Sequence, residues 1–127
     1  MNRDLNELLQ KAQQAAERAY VPYSGYKVGS AVKCSDGSIY TGCNVENASY
    51  SLTICAERTA IFKAVSEGHK DFTAIAIYVD SDKIFPPCGA CRQVISEFAP
   101  DLPVVYANRN ETFETTMALL LPGAFKL

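Results

Sequence analysis

An α/β layered domain with a mixed sheet is predicted for this chain by three observations. Helix-like and strand-like segments alternate in the order α, β, β, α, β, α, β, β, α. The first two strand segments flank Ser35-Asp36-Gly37-Ser38, and Asp-Gly between apolar runs marks a hairpin. The chain has 127 residues, of which 48% are hydrophobic, enough to build a core within one domain spanning 1–127.

The elements follow in order. Leu5, Leu8, Leu9, Ala12, Ala16 and Ala19 recur at helical spacing, predicting a helix from Asp4 to Tyr20 that Pro22 ends. Val28 to Cys34 and Ile39 to Asn44 are the hairpin strands, and Asn44 to Ser51 reads as an irregular polar loop. Ala56, Ala60, Ile61, Ala64 and Val65 form the buried stripe of a helix from Cys55 to Glu67, with Gly68 as its stop. Phe72 to Val79 is an apolar run suited to a central strand. Asp80 to Pro87 is a loop, Gly89 to Phe98 a helix ending before Pro100, and Pro103 to Ala107 a strand. Asn108-Arg109-Asn110 turns into a short strand near Thr112 to Glu114, and a last helix runs from Thr116 to Leu121. The hairpin must be antiparallel, and the helical crossovers predict parallel neighbours after it.

Charge narrows the function classes. Lys and Arg number 12 against 14 Asp and Glu, a formal net charge of −2. Such a balance gives no basic footprint for nucleic acid or an anionic membrane and favours a small-molecule partner. No segment reaches the roughly 20 continuous apolar residues of a membrane span. Met1 to Gln14 carries charges throughout and lacks a signal peptide's apolar stretch, so a cytoplasmic location is expected. In that compartment the five cysteines read as thiols or metal ligands rather than disulfides.

Two short segments carry chemistry: Cys55-Ala56-Glu57 and Pro87-Cys88-Gly89-Ala90-Cys91. Cys88 and Cys91 stand at i and i+3 at a helix start, so both thiols point one way. A helix N-terminus also favours thiolate over thiol. That pair suits zinc, although a redox pair or two buried thiols share the pattern. Cys55 begins a second predicted helix and supplies a third ligand. Catalytic zinc sites hold three protein ligands and leave one position for water, whereas structural sites close with four. Cys34 or Cys43 as a fourth ligand would close the site, but neither has a helix-start setting. Glu57, two residues after Cys55 on the first turn, cannot share its direction but reaches the space beside the metal. A carboxylate there can move protons to and from an attacking water, besides favouring the helix dipole.

These residues are similar to the [HC]-x-E and P-C-x-x-C pattern of the zinc-dependent cytidine deaminases, and the chain resembles their small single-domain type. The resemblance extends through Pro22-Tyr23-Ser24, Val28-Gly29, Gly42 to Asn47, Cys55 to Ala60, Cys88 to Gln93 and Leu121 to Phe125. It implies a three-layer α/β/α fold with a mixed, mostly five-stranded sheet. It implies hydrolytic deamination of free cytidine and 2′-deoxycytidine, with one zinc per subunit held by Cys55, Cys88 and Cys91 and with Glu57 as proton shuttle. Asn44 and Glu46 then hold the ribose hydroxyls, and Tyr26, Tyr50, Ala56 and Phe125 are further substrate-binding positions. Tyr26 stands where relatives often carry Phe and adds a hydroxyl. The Phe125 position implies a homotetramer whose sites are completed across subunits. Arg58 implies a cation donating to the zinc thiolates. His69, the sole histidine, follows the predicted helix stop and reads as a solvated loop residue.

Two rival readings remain at this point. One is a deaminase of another substrate, such as a base in RNA, a nucleotide or a nucleoside antibiotic. The acidic balance weighs against RNA, and Glu46 against a phosphate. The other is a non-catalytic zinc-stabilised binding module, which requires four protein ligands.

Overall fold

The computed structural model describes residues 1–127. Helix α1 (Arg3–Ala16) is capped by Asn2, whose Oδ1 accepts from Leu5 N at 2.8 Å. It ends four residues before the expected Tyr20. Arg18 N and Ala19 N bond three residues back to Ala15 O and Ala16 O, and Tyr20 N donates instead to Asn44 O at 3.0 Å. Pairing of Tyr20 with Val45, rather than Pro22, therefore ends the helical path.

Strands β1 (Val28–Cys34) and β2 (Ile39–Cys43) form the predicted hairpin. Gly37 turns it with φ of 91°, and Asp36 Oδ1 accepts from Ser38 N at 3.0 Å. The intended polar loop contains a short 3₁₀ turn at Tyr50–Leu52. Then follow α2 (Ala56–Ser66), β3 (Phe72–Val79), α3 (Gly89–Phe98), β4 (Pro103–Ala107), β5 (Thr112–Thr116) and a one-turn α4 (Met117–Leu120).

The five strands form one sheet in the order β2-β1-β3-β4-β5. Only β3 and β4 are parallel neighbours. The crossover through α2 does not lay β3 beside β2. It inserts β3 on the other edge of β1, where the pairing is antiparallel. The expectation of parallel neighbours after the hairpin thus holds for one crossover and fails for the other.

Three layers result. On one face α1 buries Leu5, Leu8, Ala12 and Ala16 against Ala31, Ala74, Ala76 and Val105. The alanines on both sides let helix and sheet approach closely. On the other face α2, α3 and α4 cover Val32, Ile75, Ile77 and Val104 with Ile61, Ile95 and Met117. Adjacent strand residues such as Ile75 and Ala76 point to opposite cores, as the period of a strand requires. The helix starts of α2 and α3 lie together at one end of this second face.

Candidate active site and metal centre

Cys55 and Cys88 are the N-cap residues of α2 and α3, both with extended backbone (ψ of 155° and 166°). Cys91 lies one turn into α3. The ladder bonds Val45 N to Ile54 O and Ile54 N to Val45 O, both 3.0 Å, fix the approach to Cys55. Arg92 Nε donates to Pro87 O at 2.7 Å and fixes the approach to Cys88. The three sulfurs lie within 4.8 Å of one another, with Cys55–Cys88 at 3.6 Å and Cys88–Cys91 at 3.2 Å. Thiolates around a tetrahedral zinc with bonds of about 2.3 Å stand about 3.8 Å apart, so the donor set has nearly the required edges.

Arg58 supplies an independent test of that fit. Its Nη2 donates to Cys55 Sγ at 3.4 Å, while its buried Nε has no hydrogen-bond partner. A buried unpaired donor beside sulfurs is costly, and thiolates held on a metal are acceptors of the right sign. The Cys55 thiol is pulled down to about 5 by its hydrogen bond with Cys91 and by Arg58, against the cost of burial. Cys91, as the donor of that pair, moves the other way. Neither Cys34 nor Cys43 joins the cluster, which excludes a four-cysteine closure.

Glu57 points into the same space and is 4% exposed. Burial raises its carboxyl to about 7, with the Cys55 charge acting in the same direction and hydrogen bonds opposing it. Glu57, Cys55 and Cys88 share an open cleft of about 170 Å³, with Asn44, Ile54 and Phe85 among its walls.

The other predicted substrate residues are distributed more widely. Ala56 is fully buried and lines the cleft. Asn44 also lines it, but spends Nδ2 on Tyr26 O at 2.8 Å and Oδ1 on Val28 N at 3.0 Å. Glu46 and Tyr50 line a neighbouring cleft with Tyr23, Ser24 and Thr53. There Glu46 accepts from Tyr23 N at 2.9 Å, Ser24 N at 3.1 Å and the Ser24 hydroxyl. Thr53 lines both clefts and joins them. Tyr26 packs edge-on against Phe85, ring centroids 5.1 Å apart. Phe125 is 69% exposed near the C-terminus, outside both clefts; its carbonyl accepts from Gln93 Nε2.

Sequence reasoning missed Thr53 and Phe85. Phe85 had a readable signal, since an aromatic followed by Pro86-Pro87 is held in extended backbone next to Cys88. His69 is less solvated than expected. Its side chain is 28% exposed, meets the Tyr40 ring at a 45° tilt with centroids 5.3 Å apart, and faces Asp36 at 3.6 Å, near Cys34. Asp36 spends its other oxygen on Ser38, and Cys34 is packed in the core, so turn formation and packing account for that group.

Comparison with known proteins fits this geometry. The family described as "Cytidine and deoxycytidylate deaminase zinc-binding region" matches residues 2–107. A cytidine deaminase of Sporosarcina psychrophila is 52% identical over 124 residues, covering 96% of this chain and 91% of its own. One from Halalkalibacterium halodurans is 53% identical over 124 residues, covering 96% and 94%. The crystal structure of cytidine deaminase from Burkholderia pseudomallei superimposes with a TM-score of 0.90 at 46% identity, covering 98% of this chain and all of that one. With a family match over most of its length and relatives above half identity, the chain belongs to the cytidine and deoxycytidylate deaminase family and carries that family's zinc-binding region.

Proposed function

We propose that this protein hydrolyses the 4-amino group of free cytidine and 2′-deoxycytidine, releasing ammonia and uridine or 2′-deoxyuridine for pyrimidine salvage. The observation that carries the reading is Glu57, buried beside three convergent cysteines in an open, mostly apolar cleft. Relatives above half identity that bear the name cytidine deaminase support the substrate.

Cys55, Cys88 and Cys91 would hold one zinc per subunit. That ion supplies Lewis acidity, which makes water a usable nucleophile near neutral pH. Glu57 takes the proton that water releases and passes it to N3 of the pyrimidine. As oxygen bonds to C4, the ring becomes tetrahedral there. Glu57 then delivers the second water proton to the amino nitrogen, the C4–N bond breaks and ammonia leaves. Its burial keeps bulk water from competing for those protons. Arg58 donates to the thiolates, and Asn44 and Glu46 bind the ribose hydroxyls. Tyr26, Tyr50 and Ala56 pack against the nucleoside.

Glu46 and Tyr50 lie across Thr53 from the metal-bearing cleft, and Phe125 is exposed. A homotetramer in which such residues complete neighbouring sites accommodates both facts. The domain spans 1–127 and works in the cytoplasm. No helix is long and apolar enough to cross a membrane.

Glu57→Gln separates binding from proton transfer. Zinc content stays at the wild-type level while turnover of cytidine falls by at least about a hundredfold. Near-normal turnover by this variant would sink the mechanism.

A further inference from the structure

We infer that Phe85 shapes the wall of the nucleoside pocket, and that the distant Asn108-Arg109 turn is the device that positions it. Phe85 lies on the loop joining β3 to α3 and lines the cleft that holds Glu57. Its ring meets Tyr26 edge-to-face at 80°, and Lys83 Nζ stands 5.5 Å above the same Tyr26 ring. Two residues of one loop thus grip one aromatic from the segment just before β1. None of them is a zinc ligand.

The loop is tied down at both ends, by different means. At its start, Asp80 N donates to Lys27 O at 2.9 Å. Asn108, only 6% exposed, donates from Nδ2 to Asp82 O at 2.9 Å. Its Oδ1 accepts from Asn110 N at 2.9 Å and Glu111 N at 2.7 Å, which closes the β4–β5 turn. Arg109 N donates to Ser81 O at 3.3 Å, and Arg109 Nε to Asp80 Oδ1 at 2.9 Å. Ser81 Oγ in turn accepts from Lys83 N at 3.1 Å. At the other end, Pro86 and Pro87 have fixed φ, and Arg92 holds the Pro87 carbonyl.

Lys83, Ile84 and Phe85 bridge these anchors. Their placement is therefore set from the Asn108 side, whereas Cys88 is set from the proline and α3 side. Releasing the Asn108 anchor frees Phe85 and leaves the zinc ligands in place. Phe85 and Asn108 consequently act on substrate binding as one unit.

The inference rests on the proposed deamination, and wild-type turnover of cytidine tests that reading first. A wild type that does not deaminate cytidine refutes the reading. If it does, four variants test the inference alone: Phe85→Ala, Asn108→Asp, their double mutant and Arg109→Ala. Asn108→Asp keeps the acceptor that closes the turn and loses the donor to Asp82. Phe85→Ala and Asn108→Asp each raise KM for cytidine by about three- to tenfold, the worth of an aromatic packing contact, with kcat within about twofold. Zinc content matches the wild type in every variant. The double mutant has a KM within about twofold of Phe85→Ala, because the anchor acts through that ring. Arg109→Ala strips only the exposed part of the anchor and raises KM by about twofold at an unchanged melting temperature, so it decides the matter even if Asn108→Asp folds poorly. Multiplying effects in the double mutant, or wild-type KM in the anchor variants, would overturn the inference.

Discussion

Gly42→Ala perturbs the seat of the active-site helix directly. Gly42 is buried on β2, under the first turns of α2. A Cβ there would stand 2.5 Å from Ala60 N, 2.7 Å from Ala56 O and 2.8 Å from Thr59 Cβ. Two of these are backbone atoms, and ordinary contact starts near 3.4 Å, so α2 must retreat by about 0.9 Å. It has little room. Ala60, Ile61 and Ala64 are fully buried on the same helix, and Ile54 is laddered to Val45 just before it. Overpacking of this kind costs about 1–3 kcal/mol. For a domain of this size that lowers the melting temperature by about 3–15 °C. The same movement carries Glu57, two residues beyond Cys55, and a misplacement near 1 Å costs up to about a hundredfold in rate. A calorimetric melt and the ultraviolet assay of cytidine loss measure both effects. A variant with wild-type melting temperature and wild-type kcat would refute this account of how β2 places α2.

Gly29→Ala drives a methyl into Ala12 O and to 2.5 Å from Ala16 N, on the face opposite the cleft. It lowers the melting temperature at least as much as Gly42→Ala, but the folded fraction keeps near-normal kcat; a kcat loss exceeding the stability loss would contradict this. Cys88→Ala removes a metal ligand and the N-cap acceptor of Cys91 N, so zinc content falls and the melt drops by at least about 1 kcal/mol; full zinc occupancy would remove Cys88 from the ligand set. Arg58→Gln leaves the thiolates without their cation, and a competing chelator should strip zinc about tenfold more readily; unchanged release would refute that role. Ser24 holds Glu46 below its ordinary carboxylate value, chiefly by the side-chain hydrogen bond. Because the folded form binds its proton less tightly, that contribution is present above the ordinary value of 4.5 and disappears as pH falls. In Ser24→Ala the acid side of the stability profile is shallower, and a profile superimposable on wild type would exclude the tie.

The fold was legible wherever local chemistry decides it. Apolar runs, the Asp36-Gly37 turn and the Gly68 stop placed most elements to within a few residues, because propensity and packing agree there. The end of α1 was not legible, since a long-range bridge from Tyr20 to Val45 ends it. The neighbour of β3 was not legible either. Connection chemistry says that a crossover leads to a parallel orientation, but not which strand lies in between. In the site the cluster of Cys55, Cys88 and Cys91 was legible because Cys55 and Cys88 stand at helix starts and Cys91 follows one turn after Cys88. Phe85 and Asn108 were not, because their role exists only through each other's loops. The division of Asn44 and Glu46 between two clefts also depends on tertiary hydrogen bonds, to Val28 and Tyr26 in one case and to Tyr23 and Ser24 in the other.

Under the proposed function, the same helix starts let three thiolates serve an electrophilic site. Three thiolates on a divalent ion leave a formal charge of minus one, which would blunt its pull on electrons. Cys55 and Cys88 both sit at N-caps, and each helix N-terminus contributes roughly half a positive charge. Arg58 adds a full one at 3.4 Å from Cys55. Together these offset the excess, and they do so on the protein side of the sulfurs, leaving the cleft side to substrate. Glu57 can then remain close without a partner cation of its own, which is the arrangement a proton carrier needs. A cation paired directly with Glu57 would hold it ionised and prevent the return of the proton.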